Sequence, residues 1–526
     1  MPIQPASFAE FKRSSSLGRY VPFIKRVDIF EDPLKIYRCL RDGRSPSVLL
    51  ESARISQKTG RYSFIAKNPF LIMEAMDSQI SLSSFGQKEV LRGDPFQILR
   101  RILAQYASDP KSGFPPFTGG AIGYFGYEAK NYVEPTLTRS VKEGAMLPDV
   151  YLLFFNEGLV LDHEARALYF FVNAQAGKNL TQSYRYGSER LARLERDFKR
   201  HWNDAGCAGP VSQGAQGQRS GCFSFQNRMV GLERFRPLLE SSLTGGEFIE
   251  KVGRIQRYIR EGEIFQANLS QRFSFPLDED LLEVYEKLRS VNPSPFFGYL
   301  DALDFQILSG SPERLIKLED RQLETRPIAG TRMRGKNKKA DDALSMDLIL
   351  SPKERAEHIM LVDLERNDLG RVAEYGSVSV DEMMVIENYS HVKHIVSNIR
   401  GVLRHGLDAV DAFKAFFPGG TITGAPKIRC MEILDELEPI ERGPYTGSLG
   451  YFSFTGNMDF NIIIRSLIAK EGIGFMHAGA GIVADSVPQK EYEETLYKAE
   501  GLLTAVFGKA QIRSFFARCG AASRAS

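Results

Sequence analysis

The stretch SPKERAEHIMLVDLERND, residues 351–368, places closely spaced carboxylates beside an apolar run. A helix over this stretch puts Glu354 and Glu357, three residues apart, on one face. Two like charges on one face repel each other, so we expect a cation or a basic side chain beside them. The helix also carries four apolar residues that are predicted to be buried: Ile359, Met360, Leu361 and Val362.

A second pair of carboxylates with the same spacing, Glu491 and Glu494, lies in the helical pattern QKEYEETLYKAE. Mg²⁺ takes oxygen ligands and often binds only one or two protein carboxylates directly, so two matched pairs suggest one metal site. The alternative is that both pairs lie on ordinary solvated helix faces, neutralised by nearby lysines such as Lys353, Lys490 and Lys498. The helical patterns alone leave both interpretations open.

Composition and charge indicate a soluble globular protein. The 526 residues are 43% hydrophobic and 25% charged, and the net charge is only +3, which gives no electrostatic reason to expect nucleic acid or an anionic membrane. The N-terminus lacks an apolar signal core and no run is long enough to span a membrane, so a cytoplasmic protein is predicted. The five cysteines form no CxxC pair, which indicates neither a disulfide framework nor a zinc site.

The order of the patterns predicts an α+β protein in two segments. Short apolar runs such as SVLLESA and GRYSFIA predict strands within residues 20–200, and IFQANLSQRFSF predicts a strand within a larger segment, residues 226–508. Residues 201–225 between them are rich in Gly, Ser, Gln and Ala without an apolar period, which predicts a linker. Residues 509–526 are predicted to be a tail.

Two side chains have chemistry suited to proton transfer. Glu313, in LSGSPERL, follows an apolar strand and a proline turn, where partial desolvation would raise its pKa into the range of a general acid. His394, in ENYSHVKHIVSN three residues after His391, is suited to donate or accept a proton near neutral pH. The alternative for a single histidine is a structural role in the core.

Arg465 ends the apolar run of the predicted strand MDFNIIIRSLI, where a guanidinium needs an anionic partner. That partner is either an anionic ligand, held by a bidentate fork, or an internal carboxylate. Tyr445, in GPYTGS, is interpreted as a core tyrosine on its own pattern.

Two glycine-rich segments resemble nucleotide motifs without satisfying them. GGTITGAPK departs from GxxxxGK[ST] because Pro426 precedes the lysine, and HAGAGIVADSVP fits GxGxxA but Pro488 breaks the helix that a dinucleotide motif requires. Both segments can still surround a small ligand with backbone N–H groups. The chain has no GxCxG nucleophile elbow, so it carries no visible cysteine amidase.

Taken in order, the motifs resemble those of the chorismate-utilising enzymes over about residues 20–505. The motifs are SGSPE, RPIAGTRMRG, KERAEHIMLVDLERNDLGR, YSHVKHIVS, FPGGTITGAPK, MDFNIIIRSL, GAGIVADS and EYEETLYKA. The resemblance implies the anthranilate synthase large-subunit fold, an α+β sandwich of two large antiparallel sheets flanked by helices.

By this resemblance, Glu357 and Glu494 would bind Mg²⁺ directly, and Glu354 and Glu491 would bind the waters of the ion, which neutralises the ring carboxylate of chorismate. Glu313 matches the general acid that protonates the departing 4-hydroxyl. The resemblance therefore implies that the two carboxylate pairs form one magnesium site.

The resemblance also implies the substrate contacts and the nucleophile. His394 matches a histidine beside the ring, and Gln266 stands where water-adding relatives carry a lysine base, so ammonia is the expected nucleophile. With no amidase elbow in this chain, a separate glutamine amidotransferase (glutaminase) subunit is the expected source of ammonia. Further substrate-binding positions are matched by Thr331, Thr421, Tyr445, Arg465, Gly479, Ala480, Gly481 and Lys498.

Two ammonia-using branches of the family remain. Ala329, before Gly330, is typical of the anthranilate branch, which gives anthranilate plus pyruvate, whereas QANLSQRF, SPERL and FPGGTITGAPK are more similar to the aminodeoxychorismate synthase branch. We expect the latter, with 4-amino-4-deoxychorismate for folate synthesis as the product, and keep the tryptophan branch as the alternative. A possible tryptophan site, in which NPSPFF departs from the usual NPSPYM, is matched by Leu50, Glu51, Ser52, Asn292, Pro293 and Phe296.

An alternative from another class of protein is a catalytically silent regulator, which binds chorismate or tryptophan without turnover. The retained acid Glu313, His394 and both glutamate pairs argue against it, because such a protein needs neither a general acid nor a metal site.

Overall fold

The computed structural model describes residues 4–16, 18–52, 60–109, 113–139, 142–144, 147–204, 239–335, 337–388 and 392–518. The strands are β1 Tyr20–Val27, β2 Ser47–Glu51, β3 Tyr62–Lys67, β4 Leu71–Met76, β5 Gln79–Ser84, β6 Gln87–Arg92, β7 Gly120–Phe125, β8 Val150–Phe155, β9 Glu157–Asp162, β10 Ala167–Gln175, β11 Glu240–Ser241, β12 Gln266–Pro276, β13 Phe296–Asp301, β14 Phe305–Ser311, β15 Arg314–Glu319, β16 Gln322–Arg326, β17 Ile328–Met333, β18 Ser379–Asn388, β19 Val392–Val402, β20 Gly424–Ala425, β21 Ser448–Ser453, β22 Met458–Asn461, β23 Ser466–Lys470 and β24 Ile473–Ile482.

The helices are α1 Phe8–Ser14, α2 Pro33–Leu40, α3 Pro95–Gln105, α4 Lys130–Val133, α5 Leu180–Asp204, α6 Gly245–Arg260, α7 Leu281–Val291, α8 Lys338–Leu350, α9 Pro352–Gly370, α10 Ala409–Phe416, α11 Lys427–Leu437, α12 Pro488–Phe507 and α13 Lys509–Arg518. Short 3-10 turns cover Tyr127–Ala129 and Gly420–Ile422. The predicted helix over residues 351–368 corresponds to α9, whose start is fixed by Ser351, which caps the backbone N–H of Glu354, and by Pro352 in the first turn.

The strands form two sheets of twelve antiparallel strands each. The first sheet has the order β1-β10-β9-β3-β2-β13-β14-β23-β24-β12-β11, with β20 on β12. The second has the order β17-β19-β16-β15-β22-β21-β7-β8-β4-β5-β6, with β18 on β19. Strands from the segments 20–200 and 226–508 occur in both sheets, and the predicted α+β fold with two large antiparallel sheets is confirmed.

The core lies between the sheets and on their outer faces. Phe64 of the first sheet and Tyr151 of the second belong to one buried cluster between them. On the outer face of the first sheet, α6 and α12 bury Phe248 and Leu496, and α10 buries Phe413 against the second sheet. This apolar burial is the main stabilising contribution to such a layered fold.

The chain crosses between the sheets at two adjacent points. Glu313 lies between β14 of the first sheet and β15 of the second, and Arg465 lies between β22 of the second and β23 of the first. The backbone N–H of Gly310 donates to the Arg465 carbonyl at 3.2 Å, and that of Ile462 donates to the Glu313 carbonyl at 3.1 Å. The two crossings therefore hold each other, and with them the side chains of Glu313 and Arg465.

The single strand predicted for MDFNIIIRSLI is wrong. β22 ends at Asn461, β23 begins at Ser466, and Arg465 between them has φ +53°, a conformation that side chains with a Cβ adopt rarely. The interruption occurs because the chain leaves one sheet for the other at this point.

The apolar run of α9 is only partly buried. Leu361 and Val362 are buried as predicted, but Ile359 is 49% exposed. The same helix buries polar residues instead, including Glu365 and Asp368. A consecutive apolar run in a helix cannot lie on one face, which is why the prediction failed for Ile359.

The predicted linker and tail have structure at their first residues. α5 continues through Asp204, so residues 201–204 are helical, and residues 205–225 lie outside the described residues. Residues 509–518 form α13, which buries Ile512 and Phe516. Within the described part of the chain, no helix is both long enough and apolar enough to cross a membrane.

Candidate active site

Glu313 is a buried acid at the crossing between the sheets. Its side chain is 6% exposed. Burial is the largest influence and raises the pKa of its carboxyl to about 7, while the Thr421 hydroxyl, Arg465 and Lys498 act to lower it. Three further predicted site residues thus surround Glu313. A carboxyl that titrates near neutral pH has the protonation range that a general acid needs.

His394 lies on β19 opposite Thr331 of β17. Its Nδ1 atom is 3.0 Å from the Gly330 carbonyl oxygen and 3.1 Å from the Thr331 hydroxyl oxygen. A carbonyl only accepts, so we assign the ring proton to Nδ1 and make Nε2 the acceptor. Burial, and then Arg465, lowers the pKa of His394 to about 4, so the imidazole is neutral near pH 7.

Tyr445 and Gly479 are in direct contact. A Cβ atom on Gly479 would lie 2.8 Å from the Tyr445 hydroxyl oxygen and 3.0 Å from the Leu269 carbonyl oxygen. Burial raises the pKa of Tyr445 to about 12, so its hydroxyl remains a neutral donor. The segment Gly479–Gly481 of β24 pairs with β12, and the buried Ala480 faces Leu269 there. Glycine at 479 leaves room for the tyrosine hydroxyl against the strand.

Gln266, the first residue of β12, extends over the other glycine of this segment. A Cβ atom on Gly481 would lie 2.5 Å from Gln266 Nε2. The Oε1 atom of Gln266 is buried and has no hydrogen-bond partner among the described residues. A buried amide oxygen of this kind is usually satisfied, which marks Gln266 as a position that a bound molecule can contact.

The helices α9 and α12 bring the two carboxylate pairs within electrostatic reach of each other. Burial raises the pKa of Glu357, and the charges of Glu354 and Glu494 raise it further. Burial also raises the pKa of Glu491, to which Glu494 adds. The glutamates of α9 and α12 therefore interact electrostatically with one another.

Basic side chains neutralise one member of each pair. Arg332 Nη1 lies 3.1 Å from a Glu354 carboxylate oxygen, and Lys498 Nζ lies 2.8 Å from one of Glu494. Lys498 also donates to the Gly479 carbonyl at 2.9 Å, which links α12 to the strand that carries the glycines. Its side chain is 43% exposed, so this lysine lies at the mouth of the site.

The donor chemistry of the four glutamates fits a hard divalent cation. All donors are carboxylate oxygens, and burial together with the neighbouring carboxylates raises the pKa of Glu357 and Glu491, an effect that a bound cation would offset. With the side chains as they stand, the described residues contain no group of three or more metal-binding side chains arranged around one point. Arg332 and Lys498 occupy part of the carboxylate oxygens in this arrangement.

The segments of the possible tryptophan site lie side by side. β2 and β13 pair with Leu50 opposite Gly298 and Glu51 opposite Phe297. Glu51 is buried and accepts hydrogen bonds from the Tyr285 hydroxyl at 2.7 Å and from Arg289 at 3.0 Å. The remaining positions lie beside it, at the end of β2 or between α7 and the start of β13: Ser52, Asn292, Pro293 and Phe296.

A second buried acid lies next to the site and was not predicted from the sequence. Glu365 on α9 accepts a hydrogen bond from the Thr325 hydroxyl at 3.0 Å, and burial raises the pKa of its carboxyl to about 8. Asp368 pairs with Lys427 at 2.6 Å. Glu365 and Asp368 lie three helical turns beyond Glu354 and Glu357, on the same face, so the helical period would have revealed them.

Arg442 was also missed. It is buried and donates to the carbonyl oxygens of Asn268 at 2.6 Å and Ile422 at 3.1 Å, and to both carboxylate oxygens of Glu438. It thereby joins β12 to the turn that carries Thr421. No local pattern could have indicated this, because its carbonyl partners are remote in the chain.

The sequence of this chain is similar to known proteins over nearly its whole length. The family described as chorismate binding enzyme matches residues 48–504. The chain is 41% identical to aminodeoxychorismate synthase component 1 of Bacillus subtilis (strain 168) over 93% of this chain and 96% of that protein. It is 39% identical to anthranilate synthase component 1 of Acetivibrio thermocellus over 92% of this chain and 94% of that protein.

Solved structures agree with this family. Anthranilate synthase component I from Streptococcus pneumoniae TIGR4 is 32% identical, with a TM-score of 0.70 over 85% of this chain and 93% of that one. The menaquinone-specific isochorismate synthase MenF of Escherichia coli shares the fold at 16% identity, with a TM-score of 0.64 over 95% of this chain and 99% of that one.

Sequence and fold together place this chain in the family of chorismate-binding enzymes. Within that family it is an enzyme of the aminodeoxychorismate synthase or anthranilate synthase type.

Proposed function

We propose that this chain aminates chorismate at C4 with ammonia and gives 4-amino-4-deoxychorismate. The observation that carries the proposal is Glu313, a buried acid whose pKa is raised to about 7 beside Arg465 and Thr421. Such an acid can give its proton to the departing 4-hydroxyl, so that water leaves instead of hydroxide. The similarity to an aminodeoxychorismate synthase at 41% identity supports this branch.

The substrate carboxylates are the expected partners of the basic and donor groups. Arg465 interacts with Glu313 and His394 and offers a guanidinium fork for the enolpyruvyl carboxylate. The Tyr445 hydroxyl, which lies beside Gly479, and the backbone N–H groups of Gly479–Gly481 would supply neutral donors. These groups would fix the ring relative to Glu313, and such positioning lowers the barrier of the reaction.

We further propose Mg²⁺ as the cofactor. Glu357 and Glu494 would hold it, with Glu354 and Glu491 behind its waters, and Arg332 and Lys498 would give up their pairs with Glu354 and Glu494. When bound, the ion supplies positive charge that neutralises the ring carboxylate of chorismate. The carboxylates with raised pKa values would then ionise fully, because the cation offsets their mutual repulsion.

We propose that a glutaminase subunit supplies the ammonia. The relatives are named as component 1, which supports the existence of a partner chain. Gln266 carries an amide at the position where, by the family resemblance, water-adding relatives carry a lysine base. This difference supports ammonia rather than water as the nucleophile. Free ammonium at high pH is expected to replace the partner in the test tube.

The second candidate is amination at C2 with release of pyruvate, which gives anthranilate. Ala329 before Gly330 supports it, as does 39% identity to an anthranilate synthase. Glu51 is the one acid of the possible tryptophan site, and Arg289 already neutralises it. This pairing argues against feedback inhibition by tryptophan. The same pairing weakens the proposal of a silent tryptophan-binding regulator.

Product analysis separates the candidates. The purified chain is incubated with chorismate, Mg²⁺ and ammonium, and the product is followed by fluorescence and by mass. We expect loss of chorismate with a product that yields p-aminobenzoate only after a separate lyase is added. Direct appearance of anthranilate would establish the second candidate, and no loss of chorismate would contradict both.

A further inference from the structure

The imidazole of His477 lies nearly parallel to the ring of Tyr445. The two ring centres are 5.0 Å apart and the angle between the ring planes is 9°, which is a stacked arrangement. Both side chains are buried, with 6% of His477 and 5% of Tyr445 exposed. Stacked aromatic pairs contribute stability beyond the burial of their surfaces, and they favour one relative orientation of the two rings. Tyr445 is therefore held at its ring as well as at its hydroxyl.

His477 belongs to the same strand as the glycine that leaves room for the Tyr445 hydroxyl. Residues two apart in a strand point to the same face, so His477 and Gly479 share one face of β24. Ala478 and Ala480, which alternate with them, belong to the apolar core on the other face. One strand thus supports the tyrosine at two points, with Gly479 at the hydroxyl and His477 at the ring.

Hydrogen bonds do not explain why a histidine is buried here. Neither ring nitrogen of His477 forms a hydrogen bond of ordinary geometry with a described residue, although buried polar groups usually have a partner. Burial, followed by the charges of Arg272 and Arg442, lowers the pKa of the imidazole far below its ordinary value, and the backbone of Glu441 opposes this only in part. The ring is therefore neutral, and it offers Tyr445 a flat, uncharged surface.

The main chain next to Tyr445 is also held in a constrained conformation. Thr446 has φ +60°, which a β-branched residue adopts rarely. Its backbone N–H donates to the Ile463 carbonyl at 2.8 Å, and Arg442 donates to its hydroxyl at 3.2 Å. Strained backbone of this kind persists where the surrounding contacts impose it, and it is concentrated at functional sites. The fold therefore fixes Tyr445 both at its main chain and at its ring.

We propose that His477 is a positioning residue for chorismate, whose ring holds the Tyr445 ring so that the Tyr445 hydroxyl meets the enolpyruvyl carboxylate beside Gly479. The inference rests on the proposed function, because it takes Tyr445 to be a donor to that carboxylate. His477 need not touch the substrate and acts through Tyr445. It lies outside the substrate-binding positions that the sequence predicted.

A double-mutant cycle on chorismate binding tests this role. His477→Leu keeps an apolar side chain of similar size but removes the flat ring, and we expect it to raise the Kd and KM for chorismate about 5-fold, with a smaller change in kcat. Tyr445→Phe removes the hydroxyl and keeps the ring, and it should raise both constants about 10-fold. The double variant should stay close to Tyr445→Phe alone, because His477 acts through the hydroxyl that this variant lacks.

Two further variants separate positioning from a general loss of packing. His477→Phe keeps a flat ring that can stack on Tyr445, and it should restore most of the affinity that His477→Leu loses. His163→Leu is the matched control, because the His163 ring lies edge-on to Phe30 and its Nε2 atom is 2.8 Å from the Ser63 hydroxyl oxygen, so its loss should leave the constants for chorismate unchanged.

Two results would overturn the proposal. One is that the effects of His477→Leu and Tyr445→Phe multiply in the double variant, since independent effects mean that His477 does not act through Tyr445. The other is that His477→Phe and His477→Leu weaken chorismate binding equally, which would leave His477 as a core residue without a role in the site.

Measurements without turnover separate this inference from the proposed function. The Kd for chorismate is measured by isothermal titration calorimetry with Mg²⁺ and without ammonium. If the wild-type chain binds chorismate but forms no aminated product, the proposed function fails and the cycle in Kd still decides the role of His477. A crystal structure of His477→Leu should also show the Tyr445 hydroxyl displaced from Gly479. A hydroxyl that keeps its position there would overturn the proposal, whether or not the chain binds chorismate.

Discussion

The hydroxyl of Tyr445 lies against Gly479 so closely that a Cβ atom on the glycine would be 2.8 Å from its oxygen. Tyr445 belongs to the segment before β21, and Gly479 to β24, so the contact brings together two of the predicted substrate-binding positions from different sheets. Because of this contact, the Tyr445 hydroxyl can keep its position only if residue 479 is a glycine.

Gly479→Ala is expected to raise the KM for chorismate about 10-fold or more, because the new methyl group displaces the Tyr445 hydroxyl or the β12 backbone. Steady-state kinetics with varied chorismate measures this. The control is Gly501→Ala in α12, where nothing lies within 4 Å of an added Cβ. Equal effects of the two changes would contradict the role given to the Tyr445 contact.

Glu313→Gln is expected to lower kcat about 100-fold or more with a small change in the KM for chorismate, since the amide cannot give a proton to the leaving hydroxyl. In the wild type, kcat at saturating free ammonia should fall as pH rises above about 7, where the Glu313 carboxyl loses its proton. The variant should not show that fall. A wild-type rate that stays level from pH 6 to 9 would argue against Glu313 as the acid.

Glu357→Gln is expected to lower activity at saturating Mg²⁺ by about two orders of magnitude and to raise the Mg²⁺ concentration needed for half-maximal rate. Asp363→Asn on the exposed side of the same helix is the control, and it should behave as the wild type. Activity that survives both EDTA and Glu357→Gln would contradict a role for Mg²⁺ in the reaction.

Glu365→Gln is expected to raise the melting temperature at pH 9 more than at pH 5. The folded-state pKa of Glu365, about 8, lies above its unfolded value, so the folded chain binds the extra proton and the free energy of unfolding falls as pH rises through that interval. Glutamine resembles the protonated form and avoids the loss. Thermal unfolding followed by circular dichroism at both pH values measures it, and a difference independent of pH would contradict the buried position of this acid.

Helical and strand periods predicted most of the elements that carry the site. α9, α12 and β12 lie where their patterns placed them, and the spacing of Glu354 with Glu357 holds because a helical period is local. Family resemblance supplied the remaining positions, including Thr331 and Thr421.

The failures concern contacts between distant parts of the chain. Arg465 breaks its predicted strand because the chain changes sheets there, and Ile359 is exposed because its helix turns other residues inward. The sheet that pairs β12 with β24 and the network around Arg442 depend on pairings of residues remote in sequence, which no window of sequence encodes.

The reaction itself is the most direct test of the central claim, that Glu313 and the two glutamate pairs act on one chorismate molecule. Chorismate absorbance is followed with the purified chain, Mg²⁺ and ammonium, and then with EDTA added. We expect steady loss of chorismate that stops with EDTA and resumes with excess Mg²⁺. Chorismate that persists in the presence of Mg²⁺ and ammonium would contradict it.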